Sequence, residues 1–155
     1  MENQGTSFNH VGLCVSDRDR SRAFYENVLQ FEFWWELDPP DDSVSPLLQL
    51  PRPVGLHATY LVRDGFVLEL LDYSALELRP WRARSMAEPG LTHMSFSVAD
   101  LALAMDRTKE FGGAVIEDTV SASAVMVKDP DGQVIELLDA SWRAQLPPMP
   151  GATTR

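Results

Sequence analysis

The sequence predicts an α+β protein built from two tandem βαβββ units, and three observations lead there. A histidine-bearing segment that opens a strand occurs twice, as FNHVGLCVSD at residues 8–17 and LTHMSFSVAD at residues 91–100. A strand carrying a glutamate also occurs twice, as DGFVLELLD at 64–72 and DGQVIELLD at 131–139. The order is the same in both halves: the histidines stand 83 positions apart and the glutamates 67, so the first half holds about 16 extra residues. The polar, proline-rich stretch LDPPDDSVSP at 37–46 is where that extra length is expected.

Each element follows from local chemistry. HVGLCV is apolar and β-branched, and Asp17 is placed to cap a helix over 18–30. Ala23, Phe24, Val28 and Leu29 give that helix an apolar stripe opposite its arginines. In the second half Asp100 takes the capping position, Leu101, Ala104, Met105, Thr108 and Phe111 form the stripe, and Gly112 and Gly113 end the helix. Strands and a hairpin follow each helix. The Asp64-Gly65 turn predicts that Arg63 pairs with Phe66 and Tyr60 with Glu69. A four-residue loop at 129–132 predicts Lys128 opposite Gln133 and Val125 opposite Glu136. The expected organisation is a flexible N-terminus at 1–7, one domain at 8–140 and a mobile tail at 141–155. Modules 8–73 and 91–140 are joined by a linker at 74–90.

The function classes that composition disfavours are several. A net charge of −10 lacks the basic footprint that nucleic acid requires, and it disfavours an anionic membrane surface. No apolar run approaches the roughly 18 residues of a membrane span, and the N-terminus does not read as a signal peptide. One cysteine fits a reducing compartment, so a cytoplasmic location is expected.

The glutamates are the anomaly. Side chains alternate along a strand, so Glu69 shares a face with Tyr60, Val62, Val67 and Leu71, and Glu136 with Val127, Val134 and Leu138. His10 shares a face with Gly12 and Cys14, and His93 with Ser95. A carboxylate on an apolar face is costly unless paired, and a divalent cation compensates it. Lone histidines and glutamates are usually structural, as is expected of His57, but two of each in matched frames point to metal ligands. Two imidazoles and two carboxylates suit Ni²⁺, Co²⁺, Zn²⁺, Mn²⁺ or Fe²⁺, with positions left for water or substrate.

NHVGLCVSD…AFYENVL, DGFVLELLDY, THMSFSVADL and KDPDGQVIELLD resemble the vicinal oxygen chelate superfamily, over about residues 7–140. That superfamily includes glyoxalase I, methylmalonyl-CoA epimerase, extradiol dioxygenases and fosfomycin or bleomycin resistance proteins. The resemblance implies two βαβββ modules, each a curled mixed sheet, around a metal-binding cleft. It implies His10, Glu69, His93 and Glu136 as ligands to one divalent metal ion per site, and a homodimer. It also implies chelation of a small-molecule substrate through neighbouring oxygens, with a carboxylate moving a proton between adjacent carbons. Glu136 and Glu69 are the catalytic candidates, and the resemblance favours Glu136. Glu69 tilts the reading towards a lyase, isomerase or epimerase; the alternatives are an Fe²⁺ ring-cleaving dioxygenase and a non-enzymatic binding or resistance protein.

Candidate substrate-binding residues are Tyr60 opposite Glu69, Trp34 and Trp35, Cys14 on the His10 face, and Arg82. Alternation expects one of the two tryptophans in the cleft and the other on the core or a subunit contact. Arg82 belongs with Arg79 and Arg84 to the densest basic patch, suited to an anionic group.

Overall fold

A computed structural model of the chain describes residues 5–79 and 82–147. The first residues of the expected flexible N-terminus, Pro80 and Trp81 within the basic patch, and the expected mobile tail from 148 onward lie outside the described residues. The chain divides into two compact units, Met1–Arg82 and Ala83–Arg155.

The first unit runs β1 (Val11–Cys14), α1 (Arg18–Val28), β2 (Glu32–Leu37), α2 (Asp41–Leu48), β3 (Leu56–Arg63) and β4 (Phe66–Tyr73). The second runs β5 (Met94–Val98), α3 (Leu101–Glu110), β6 (Ala114–Val115), a 3-10 turn (Glu117–Thr119), β7 (Ala124–Lys128), β8 (Val134–Asp139) and α4 (Ala140–Ala144). Each unit holds one four-stranded mixed sheet of the same topology, ordered β1-β4-β3-β2 and β5-β8-β7-β6. The first strand of each unit pairs parallel with the last, and the remaining pairs are antiparallel. The predicted α+β class and the doubled βαβββ order both stand. Among the described residues no helix is long and apolar enough to cross a membrane.

Both helix caps form as the sequence predicts. The Asp17 carboxylate accepts from the Arg20 N–H at 3.0 Å and that of Asp100 from the Leu103 N–H at 2.9 Å. Either bond contributes on the order of 1 kcal/mol. The buried face of α1 is Ser21, Phe24, Tyr25 and Val28; Tyr25, absent from the predicted stripe, is among the largest wholly buried side chains. Helix α1 stops short of the predicted end, because Gln30 turns left-handed at φ 57°. In the second unit Gly112 does this at φ 82°, where a missing Cβ removes the strain.

Each sheet has one sealed face. Leu61, Leu68 and Leu70 are wholly buried in the first, and Val127, Ile135 and Leu137 in the second. Helix α1 packs against β4, and α3 against β6, β7 and β8. The extra length of the first half is α2, within the stretch between β2 and β3. The Asp41 carboxylate ties it down by accepting from the Val54 and Gly55 N–H groups at 3.0 and 3.1 Å. Val44 then packs with Val54 and Leu56 in a small core of its own.

The first hairpin has the predicted register, with Arg63 opposite Phe66 and Tyr60 opposite Glu69. The second does not. Lys128 pairs with Val134 and Met126 with Glu136, so Val125 and Val127 face away from the glutamate and into the core. The cause is Asp129. Its buried carboxylate accepts from the Asp131 and Gln133 N–H groups at 2.9 and 2.8 Å, which draws Gln133 into the loop. One added loop residue moves the facing strand by one and exchanges its faces.

Candidate functional site

In the first unit His10 immediately precedes β1, and Glu69 sits mid-way along β4. Parallel pairing sets Gly12 opposite Glu69, so His10, Gly12 and Glu69 share the face turned away from the helix. His10 Nε2 lies 3.1 Å from Glu69 Oε2, and the glutamate side chain is 12% exposed against 38% for the histidine. Gly12 leaves slack for this approach: a Cβ there would stand 3.3 Å from Leu71 Cδ1 and 3.4 Å from Glu69 Oε2, a tight but tolerable contact. The other carboxylate oxygen is occupied, since the Tyr60 hydroxyl donates to Oε1 at 2.5 Å. Burial, then the hydrogen bond to Glu69, then the charge of that carboxylate push the Tyr60 hydroxyl well above its ordinary range. Tyr60 therefore stays a neutral donor at all physiological pH.

The second unit repeats the frame with different support. His93 immediately precedes β5, Ser95 lies opposite Glu136 of β8, and His93 Nε2 is 3.8 Å from Glu136 Oε2. Ser95 occupies the place of Gly12, and its hydroxyl donates to Glu136 Oε2 at 2.6 Å. Thr92 Oγ1 lies 2.9 Å from His93 Nδ1, which leaves Nε2 as the nitrogen turned to the carboxylate. The Glu136 side chain is 26% exposed and that of His93 33%. Where Tyr60 faces Glu69, Met126 faces Glu136.

The donors and spacings fit a divalent ion. Two ligands bound at about 2.1 Å lie about 3.0 Å apart at a right angle and about 3.4 Å apart at the tetrahedral angle. His10–Glu69 falls in that span, and His93–Glu136 needs a closure of only a few tenths of an ångström. Within either unit, among the described residues, no third His, Cys, Asp or Glu joins the pair to complete a cluster of three.

The remaining candidates divide. Trp35 stacks on Tyr60 with ring centroids 4.6 Å apart and planes at 8°, and Trp34 meets Trp35 edge-on at 6.1 Å. A bulge between Phe33 and Trp35 breaks the simple alternation of β2, and both tryptophans stay open, at 58% and 42% exposure. Neither covers the core, which was one of the two places expected for the tryptophan turned from the cleft. Cys14 is exposed and stands opposite Leu71, on the Glu69 face. Arg82 is exposed and outside the regular elements. His57 is engaged elsewhere: Nδ1 lies 2.5 Å from Asp38 Oδ1 and Nε2 3.3 Å from Glu36 Oε2. Neither Ser95 nor Thr92 is among the site residues expected from the sequence; Ser95 is legible from its shared parity with His93, whereas the Thr92 contact between adjacent residues has no such signal.

The profile of the Glyoxalase/Bleomycin resistance protein/Dioxygenase superfamily matches residues 7–137. A curated relative, the ethylmalonyl-CoA/methylmalonyl-CoA epimerase of Cereibacter sphaeroides, is 27% identical over 137 residues, covering 83% of this chain and 94% of that protein. A glyoxalase family protein from Bacillus cereus superposes with a TM-score of 0.74 at 15% identity, over 89% of this chain and 96% of that one. The trypanothione-dependent glyoxalase I of Leishmania major gives 0.65 at 21% identity, over 88% of each chain. A genomically encoded fosfomycin resistance protein from Listeria monocytogenes gives 0.58 at 16% identity, over 94% of this chain and 100% of that one.

Proposed function

From the premise that this chain belongs to the glyoxalase/bleomycin resistance protein/dioxygenase superfamily, we propose that it is a divalent-metal-dependent isomerase or epimerase. It moves a proton on a carbon next to a carbonyl of a small oxygenated substrate. One observation carries the reading: a histidine nitrogen and a glutamate oxygen meet at equivalent places of two repeated sheets, 3.1 and 3.8 Å apart. His10, Glu69, His93 and Glu136 are the ligands in this reading. A bound divalent ion supplies Lewis-acid stabilisation of the negative charge that develops on neighbouring substrate oxygens.

The chain's own residues do the rest. Glu69 is held at both oxygens, by Tyr60 and by the approach of His10, so it serves as a fixed ligand. Glu136 is held by the short Ser95 side chain, is more open, and is the carboxylate free to take and return the proton. The exposed Trp34 and Trp35 rings offer an apolar wall for the part of the substrate remote from the reacting carbon. The epimerase relative, whose name specifies acyl-CoA substrates, supports an acyl thioester as the first compound to try.

The test is solvent deuterium exchange into 2-methyl-branched acyl thioesters and α-hydroxycarbonyl compounds. It is run on protein loaded in turn with Ni²⁺, Co²⁺, Zn²⁺ and Mn²⁺. Metal-dependent exchange that Glu136→Gln abolishes supports the reading. No exchange with any loaded form, or dioxygen uptake with catechols by the Fe²⁺ form, overturns it.

A further inference from the structure

We propose that Tyr60 is a positioning residue that holds His10 and Glu69 in one arrangement, with Trp35 bracing it from behind. This rests on the reading that the pair binds a divalent ion. Three contacts converge on the one side chain. Its hydroxyl donates to Glu69 Oε1 at 2.5 Å, which leaves Oε2 turned to His10 Nε2 at 3.1 Å. Its ring receives the His10 imidazole edge-on, with centroids 5.6 Å apart and planes at 78°. Its other contact is the Trp35 indole, stacked at 4.6 Å and 8°.

Each contact constrains a different freedom. The hydrogen bond sets the rotation of the carboxylate, so that one oxygen is committed and the other presented. The edge-on contact orients the imidazole, and aromatic pairs favour that geometry beyond their buried area. The stack keeps the tyrosine ring from swinging out to solvent. The β2 bulge is what delivers it, because the register jumps from Phe33 opposite Leu61 to Trp35 opposite Tyr60. Groups ordered before the ion arrives lose no freedom on its arrival, and supports of this kind are worth about 10- to 100-fold in metal affinity. Across from Glu136 on β7, Met126 offers neither a hydroxyl nor a ring, and the Ser95 hydroxyl binds the oxygen nearer His93 instead of the remote one.

The experiment uses the full chain, stripped with a chelator and titrated with Co²⁺ against a chromophoric competitor. Tyr60→Phe is expected to weaken Co²⁺ binding roughly 10- to 100-fold and to alter the visible Co²⁺ spectrum. Trp35→Ala is expected to weaken it less, Trp35→Phe to restore most of the loss, and Met126→Leu to leave it unchanged. Wild-type affinity and spectrum in Tyr60→Phe overturn the proposal, as does a loss in Trp35→Ala that Trp35→Phe fails to restore. The His10 ring signals of metal-free protein, read by NMR, give a second measure. They are expected to move towards those of a free imidazole in Trp35→Ala, and signals that stay put overturn the bracing role. Wild-type protein that takes up no Co²⁺ sinks the metal reading, and the metal-free signals then decide the positioning of His10 by themselves.

Discussion

The two units each set a histidine and a glutamate in the same frame and then support the pair differently. His10 and His93 each precede the first strand, and Glu69 and Glu136 each lie on the last. Around the first pair stand a tyrosine, a glycine and a stacked tryptophan; around the second stand a methionine, a serine and a threonine. The first carboxylate is the more buried and sits closer to its histidine. The histidine–glutamate pair thus recurs in both units while its surroundings differ. In the reading proposed above, a fixed ligand and a movable base want opposite surroundings.

The comparison can be broken most forcefully at the glutamates. Glu69→Ala is expected to weaken metal binding more than about 100-fold, beyond the loss from removing a mere support. Elemental analysis of metal per chain reads this directly, and unchanged metal content would reduce Glu69 to a bystander. Glu136→Ala, at the more open position, is expected to lose less metal than Glu69→Ala; the reverse order would sink the division into fixed ligand and movable base.

A smaller effect tests the sealed faces. Thr59 pairs with Leu70 and Val125 with Leu137, so the two stand in equivalent places, both buried. The Thr59 hydroxyl finds no hydrogen-bond partner among the described residues. A hydroxyl buried this way costs about 1–3 kcal/mol, so Thr59→Val is expected to raise stability by about 1 kcal/mol, seen as a higher urea midpoint. A lower midpoint would mean that the hydroxyl has a partner, for instance a bound water.

Ser95→Ala removes the hydrogen bond to Glu136 Oε2 and is expected to cost on the order of 1 kcal/mol. The complementary change, Gly12→Ala, presses a Cβ to within 3.3 Å of Leu71 and 3.4 Å of Glu69, a mild overlap that a small shift relieves. Its expected signature is a several-fold loss of metal affinity with nearly unchanged thermal stability; a large fall in Tm instead would make Gly12 a packing residue alone.

The smallest effect belongs to the insertion, which has no counterpart in the second unit. Hydrogen bonds from Gly55 and then Val54 hold the Asp41 carboxyl below its ordinary value of 3.8. Its contribution is therefore complete above that ordinary value and fades as pH falls through the lower, folded one. Asp41→Asn should therefore lower stability slightly at neutral pH and make no difference well below the folded value, which flattens the acid limb of the profile. A loss as large in acid as at neutral pH would contradict the sign.

How far the sequence could be read varies with the length of the loop. The Asp64-Gly65 turn permits one register, and Tyr60 opposite Glu69 followed from it. The 129–133 loop is one residue longer than its turn signal predicts, because its length is set by the hydrogen bonds of a buried Asp129, which no local propensity reports. The face of Glu136 along its own strand was still correct, since alternation within a strand does not depend on its partner. The same limit hid the aromatic stack: alternation along β2 cannot anticipate the bulge at Trp34.

The sequence by itself determined the α+β class, the duplicated βαβββ order, both helix caps and the four residues worth watching. Those features are written in spacing, periodicity and capping chemistry, all local to the chain. Only the tertiary structure decided which atoms meet: Tyr60 with both Glu69 and His10, Ser95 with Glu136, and Asp41 with Val54 and Gly55 just before β3. Such contacts join residues far apart in the chain through side-chain rotamers and strand register, and these are set by packing across the whole sheet.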